Sequence, residues 1–348
     1  MRGNAMINNQ IDVTSKHFEV VKSIEGFVEE NLSHLLKPIS ESWQPTDLLP
    51  DMRAENWREQ ITEFRQRAKS LTDEVLVVLV GDLVTEEALP SYQTWLNRFG
   101  GINDPTGDSP SPWAKWSRGW TAEENRHGDL LNKYLYLTGR VDMRSVETTV
   151  HHLITNGFNT NSGNDPYLGF IYTSFQERAT KISHRNVGTL AKRCGDEHLH
   201  KICGLIAGDE ARHEKAYKLF MSKIFEIDPA NAVLAFAAMM KNKVTMPASL
   251  MSDGKDIDLF SKFSNVAQRI GVYTAKDYAS IIAALVEEWK IETLSGLSDA
   301  SAKAQDYLST LAERYEKVAE RLKISGSPKF SWIFDREIVL DTPTIQLV

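Results

Sequence analysis

Glu124-Asn125-Arg126-His127 and Glu210-Ala211-Arg212-His213 are two copies of one string, Glu-x-Arg-His, each set in a stretch of helical periodicity. Residues three apart share a helix face, so each copy presents a carboxylate and an imidazole together. That pair is half of a metal site. Two such halves, each joined by a carboxylate from a further helix, make a two-iron centre inside a four-helix bundle. With 9 histidines in 348 residues, about one Glu-x-x-His is expected by chance. A further copy, Glu197-His198-Leu199-His200, lacks the arginine. On a helix shared with the second motif, His200 would sit about 220° round from His213, so it reads as a solvated helix start. The arginine-bearing form is the rarer one, and it carries the signal.

Working outward, residues from about 15 to 36 alternate apolar and charged at helical spacing, and 56 to 69 read as a short helix. Thr72-Asp73-Glu74 caps a long apolar helix running to about Arg98. A Gly/Pro-rich loop at 100–112 precedes helices over about 116–137 and 141–156. Long helices follow over about 167–194 and 197–225, broken at Gly195-Asp196, and Pro229 starts another. Further helical stretches cover 256–286 and 302–323. Residues 330–336 and 338–340 read as short strands. The expected architecture is all-α, one domain over 1–348 with its four-helix core at about 72–226 and a short C-terminal β-hairpin.

The two extra carboxylates come from the long helix before each motif. Glu86 continues the line of Leu79, Leu83, Leu89 and Leu96, so it points at the core, whereas Glu87 sits one step round. Before the second motif, Glu177 lies among Thr173, Ser174 and Thr180, a semi-polar interior stripe. Hard carboxylate oxygens and borderline imidazoles suit iron or manganese. Four glutamates balance the charge of two Fe(II) ions.

Other classes are set aside by composition. The net charge of −7 argues against general nucleic-acid binding. The longest apolar run, Ala232 to Met240, is far short of a membrane span. Cys194 and Cys203 form no CxxC and fit a reducing compartment. Met1-Arg2-Gly3-Asn4 carries no signal-peptide apolar core, and a removed transit peptide would leave no trace.

Beyond these motifs the chain resembles the soluble plant acyl-acyl-carrier-protein desaturases. The likeness runs through Thr85 to Pro90, Trp120 to Tyr134, Tyr167 to Thr180, Asp209 to Glu214, Gly271 to Tyr278 and Phe330 to Arg336. It covers nearly the whole chain. The resemblance implies a ferritin-like di-iron bundle, with two Fe per chain. It also implies a homodimer in the chloroplast stroma that desaturates acyl chains held on acyl-carrier protein, using O₂ and electrons from reduced ferredoxin. Neither a membrane nor a nucleic acid is an implied partner. Position by position, Glu86 and His127 correspond to ligands of one iron, Glu177 and His213 to those of the other, and Glu124 and Glu210 to bridges. Thr180 matches a threonine on the oxygen-binding side. Asp209 and Trp43 match a hydrogen-bonded chain leading outward from His127, an electron route.

Phe99 stands where stearoyl Δ9 members carry a smaller leucine near the closed end of the substrate tunnel, which implies a shorter cavity and a palmitoyl preference, as in Δ4 variants. Arg98 and Lys262 add positive charge where those members have none, near the rim where the acidic carrier docks. Two rival classes share the ligand pattern: a ferritin-like iron-storage or iron-oxidising protein, which would not need residues 229–348, and a ribonucleotide reductase small subunit, which would need a tyrosine close to one iron.

Overall fold

The computed structural model describes residues 15–341; the chain's first residues, and so the 1–348 limits of the expected domain, lie outside them. Four helices build the centre: α4 (Asp73–Glu87), α6 (Pro112–Thr138), α8 (Pro166–Arg193) and α9 (Glu197–Ile227). Each begins on a residue suited to an N-cap. The Thr72 hydroxyl accepts from Val75 N, Ser111 from Ala114 N, Asp165 from Tyr167 N, and Asp196 from the amides of His198 and Leu199. Pro112 and Pro166 follow their caps, where the missing N–H costs nothing. Ser111 therefore starts α6 four residues before the expected Trp116.

The apolar core falls into two clusters, and three of the four helices cross from one to the other. Helix α6 enters through Trp113, Trp116 and Trp120 and leaves through Leu130, Leu131 and Tyr134. Helix α8 runs the same way, from Tyr167 and Phe170 to Val187 and Leu190. Helix α9 runs oppositely, from Leu199 and Ile202 to Tyr217 and Phe220, whereas α4 stays in one cluster from Val75 to Val84 and the chain reaches the other only at Leu89. Helices α6 and α8 are consecutive in the bundle yet run parallel, which requires a long crossover, and α7 (Met143–Asn156) supplies it. Every acid and histidine of the two motifs falls in the gap between the clusters.

Two short helices, α1 (15–23) and α2 (Glu25–Leu35), cover one side, and α3 (Trp57–Ala68) lies against α6. After the bundle come α10 (Pro229–Asn242), α11 (Leu259–Arg269), α12 (Ala275–Glu288), α13 (Asp299–Ser309) and α14 (Leu311–Ala319). Strands β1 (Lys329–Phe330) and β2 (Arg336–Glu337) form an antiparallel hairpin. It docks through Trp332, whose indole donates to Thr149 Oγ1 at 2.9 Å, and through the Arg336–Asp73 ion pair at 2.6 Å. No helix among the described residues is long and apolar enough to cross a membrane.

Several boundaries correct the sequence reading. The stretch expected to be one helix to about Arg98 breaks at Ala88, and α5 (Leu89–Leu96) follows. Pro90 is the cause. Its ring would meet the carbonyl of Glu86 and it has no N–H to donate. Tyr92 Oη donates to the Thr85 carbonyl at 2.8 Å, satisfying a group at the break. The 256–286 stretch is two helices, parted at Gly271 (φ +78°) and restarted by a Thr274/Asp277 capping box. The 302–323 stretch divides at Thr310. Residues 331–333 form a 3₁₀ turn, and 338–340 are not a strand. Phe334 and Asp335, both at positive φ, turn the chain too soon for longer strands.

Candidate metal centre

Six side chains from four helices converge in the gap between the two apolar clusters: Glu86 from α4, Glu124 and His127 from α6, Glu177 from α8, and Glu210 and His213 from α9. They form two overlapping groups. Glu86, His127, Glu124 and Glu210 make one, Glu177, His213, Glu124 and Glu210 the other, with donor atoms in each group within 4.8 Å of one another. Both histidines are fully buried. His127 Nδ1 lies 3.1 Å from Glu124 Oε2, 3.1 Å from Glu210 Oε1 and 3.6 Å from Glu86 Oε2. His213 Nδ1 lies 2.6 Å from Glu124 Oε1 and 3.6 Å from Glu177 Oε2. Yet Glu124 Oε1, Glu210 Oε1 and both Nδ1 atoms make no hydrogen bond of acceptable geometry. Buried polar atoms left unpaired are costly, and four of them aimed at one spot fit a bound cation. The third Glu-x-x-His stays outside: Glu197 is exposed in the first turn of α9.

The surrounding residues explain why the motif contains arginine. Both copies are preceded by an acid, Glu123 and Asp209, and each acid backs the histidine of the opposite copy. His213 Nε2 donates to Glu123 Oε2 at 2.9 Å, and His127 Nε2 faces Asp209 Oδ2 at 3.4 Å. Carboxylates can only accept, so each ring keeps a proton on Nε2, and the Nδ1 lone pair would be the one offered to a metal once its own proton leaves. The arginines cross over in the same way. Arg126 donates to Asp209 Oδ2 at 2.9 Å, and Arg212 donates to Glu123 Oε2 at 2.7 Å and to Asp209 Oδ1 at 2.8 Å. The sequence reading missed Glu123; the shared acid ahead of both motifs was the available signal.

Charge in the site is arranged for cations. Burial alone would push carboxyl groups up and imidazoles down. The glutamates outweigh burial at His127 and His213, whose pKa values are raised well above the usual histidine range. Glu124 is held far below the carboxylate range despite burial, because both imidazoles face it. Glu177 goes the other way. Burial, with repulsion from Glu124 and Glu210, lifts it well above that range. Protons on the imidazoles thus supply positive charge that a metal would replace, so metal uptake should release protons.

The remaining expected residues divide. Thr180 Oγ1 lies 2.9 Å from Glu210 Oε2. Trp43 is half-buried, its indole donating to Asp209 Oδ2 at 3.1 Å and its ring stacked on His127 at 6.0 Å. Two apolar chambers meet at the cluster and share Thr85, Glu86, Gln176, Thr180 and Pro247. The first runs to Trp95, Leu96, Phe158 and Tyr172. The second runs to Phe260, Phe263 and Tyr273, and adjoins a surface groove at Met246, Ser264 and Tyr273. Phe99 is fully buried behind Trp95, ring centroids 4.8 Å apart.

Arg98 and Lys262, the two added charges, lie on different segments of the fold. Arg98 lies beside Phe99 at the far end of the first chamber and donates to the Gly163 carbonyl at 2.7 Å. Lys262 lies on α11 beside the second chamber, its charge paired with Asp256.

Helix order, the single crossover and the buried donor set define a ferritin-like bundle with a carboxylate–histidine cluster of the two-metal type. A sequence family described as "Fatty acid desaturase" matches residues 16–334. The stearoyl-[acyl-carrier-protein] 9-desaturase of Spinacia oleracea is 58% identical over 92% of this chain and 82% of that protein. The palmitoyl-[acyl-carrier-protein] 4-desaturase 3 of Ophrys sphegodes is also 58% identical, with the same coverage. The acyl-[acyl-carrier-protein] desaturase of Cucumis sativus is 59% identical. DesA2 of Mycobacterium tuberculosis H37Rv, at 18% identity, superimposes with a TM-score of 0.52 over 82% of this chain and 99% of that one, a likeness of fold. The chain belongs to the fatty acid desaturase family, among the plant acyl-acyl-carrier-protein desaturases, and is an oxidoreductase.

Proposed function

We propose that this protein introduces a cis double bond into a saturated acyl chain, palmitoyl in preference to stearoyl, presented as a thioester on acyl-carrier protein. The observation that carries the reading is the meeting of two apolar chambers at the six-donor cluster. An unactivated methylene offers no acidic proton, so acid–base groups alone cannot desaturate it. Glu86 and His127 would hold one iron, Glu177 and His213 the other, and Glu124 and Glu210 would bridge. Bound there, the iron pair would supply the oxidising power that O₂ brings. The overall change removes one hydrogen from each of two adjacent carbons and, with two electrons and two protons, reduces O₂ to two waters.

The chain's own residues do the rest. The surface groove and second chamber admit the acyl chain while the carrier stays outside. The first chamber takes the methyl end, and Trp95, buttressed by Phe99, sets how far it reaches. Thr180 stands where the chambers join and orients Glu210. His127, Asp209 and Trp43 form a bonded chain toward the surface, along which electrons from reduced ferredoxin would enter. The relatives described as chloroplastic support a plastid setting, and the resemblance to dimeric desaturases supports a homodimer.

Relatives acting at Δ9 of stearoyl and Δ4 of palmitoyl are equally similar to this chain, so regiochemistry rests on the cavity. Incubation with palmitoyl- and stearoyl-carrier protein, reduced ferredoxin and O₂, followed by mass spectrometry of the acyl products, tests the proposal. A predominantly monounsaturated palmitoyl product is expected, and placement at Δ4 would put the chain with the Ophrys type. An exclusively Δ9 stearoyl product would overturn the chain-length assignment.

A further inference from the structure

Each histidine of the cluster is backed by an acid from the opposite motif, but the two outermost glutamates are held by different groups. Glu177 Oε1 accepts a hydrogen bond from the neutral indole of Trp120 at 3.0 Å. Glu86 Oε1 instead accepts from His184 Nε2 at 2.8 Å. His184 is 1% exposed. Its Nδ1 lies 3.8 Å from Asp82 Oδ2, and Asp82 in turn accepts from Ser183 Oγ at 2.8 Å. Asp82 is one helical turn before Glu86 on α4, and His184 is two turns beyond Glu177 on α8. The His184–Glu86 and Ser183–Asp82 hydrogen bonds therefore tie the two helices together just behind one end of the cluster, with Asp82 close to the far side of the imidazole. Asp82 and His184 both line the second chamber, and neither stands out in the sequence.

We propose that His184, braced by Asp82, is the positioning residue for Glu86 and makes the two metal positions unequal. The inference rests on the two-metal reading of the cluster. A glutamate side chain has three rotatable bonds, and fixing one oxygen delivers the other in place. With Oε1 held by His184, Glu86 Oε2 is left 3.6 Å from His127 Nδ1, facing the shared donors. Removing the imidazole frees Glu86 to swing into the chamber while Glu177 keeps its indole. Partners of metal ligands are typically worth about 10–100-fold in metal affinity, and here that loss should fall on one position.

Titration of the metal-free, full-length protein with Co(II) under argon, followed by its visible absorption bands and by calorimetry, tests the idea. Wild type is expected to bind about two equivalents per chain. His184→Phe should weaken one equivalent about tenfold or more and leave the other within about threefold. His184→Gln, whose amide can donate to the same oxygen, should recover most of the loss. Both equivalents unchanged in His184→Phe, both weakened alike, or no recovery in His184→Gln would overturn the proposal. If His184→Phe does not fold, Asp82→Asn decides: a selective loss of the same equivalent supports the brace, and an unchanged isotherm refutes it. Wild type that fails to take up two equivalents would contradict the metal centre itself, which is a separate outcome.

Discussion

Phe99 shows how much one buried side chain decides. Its ring lies 2.5 Å from where a Cβ on Gly169 would stand, so the two positions are complementary: only glycine fits opposite phenylalanine here. Together they wedge Trp95 against the end of the first chamber. Phe99→Leu removes the wedge and lets Trp95 relax. The expected result is a longer cavity and a rise of about tenfold in the stearoyl-to-palmitoyl product ratio, the usual scale for a change of one or two methylenes in an apolar pocket. An unchanged ratio from competing substrates would place chain-length control elsewhere. At this scale the sequence told much about the donors, because helical period aims Glu86, Glu124, His127, Glu177, Glu210 and His213 inward. It said little about His184 or Glu123. A buried histidine in a polar stretch looks like a surface one, and Glu123 differs from Glu124 only by the 100° that separates adjacent helix positions.

Helices α6 and α9 are locked by crossed charges, and the lock explains the arginine that made the motif conspicuous. Arg126, 8% exposed, meets Asp209, 1% exposed, and its other nitrogen donates to the Trp43 carbonyl at 2.6 Å. Removing Arg126 leaves Asp209 its contacts with Arg212, Trp43 and His127, so the loss is that of one charged hydrogen bond, about 1.5–3 kcal/mol. Arg126→Leu is therefore expected to lower unfolding free energy by about that much in urea denaturation of the metal-free protein, and a loss under about 1 kcal/mol would show that Asp209 is satisfied without it. Helix existence and order were legible from periodicity, caps and Gly/Pro punctuation. The breaks at Ala88, Gly271 and Thr310 were not, because each lies inside an unbroken apolar pattern. Local signals did exist at two of them, Pro90 two residues past the break it causes and Gly271 with the Thr274/Asp277 cap behind it, whereas Thr310 offered none.

The molecule as a whole is two apolar clusters separated by a thin layer of buried charge, and that layer is where function concentrates. Such an arrangement is unfavourable unless the layer binds something positive, since buried carboxylates repel and are poorly solvated. The packing of α6 against α9 puts the two motifs at one level, and the C-terminal helices wall the second chamber through Phe260, Phe263 and Tyr273. Neither the chambers nor the separation of Arg98 from Lys262 could be read from the sequence, because both arise from contacts between distant segments. The account stands or falls on the layer's occupant. Iron quantified per chain after anaerobic reconstitution with Fe(II) and removal of loose metal is the most direct test. About two irons per chain are expected, and fewer than about one would contradict the two-metal centre.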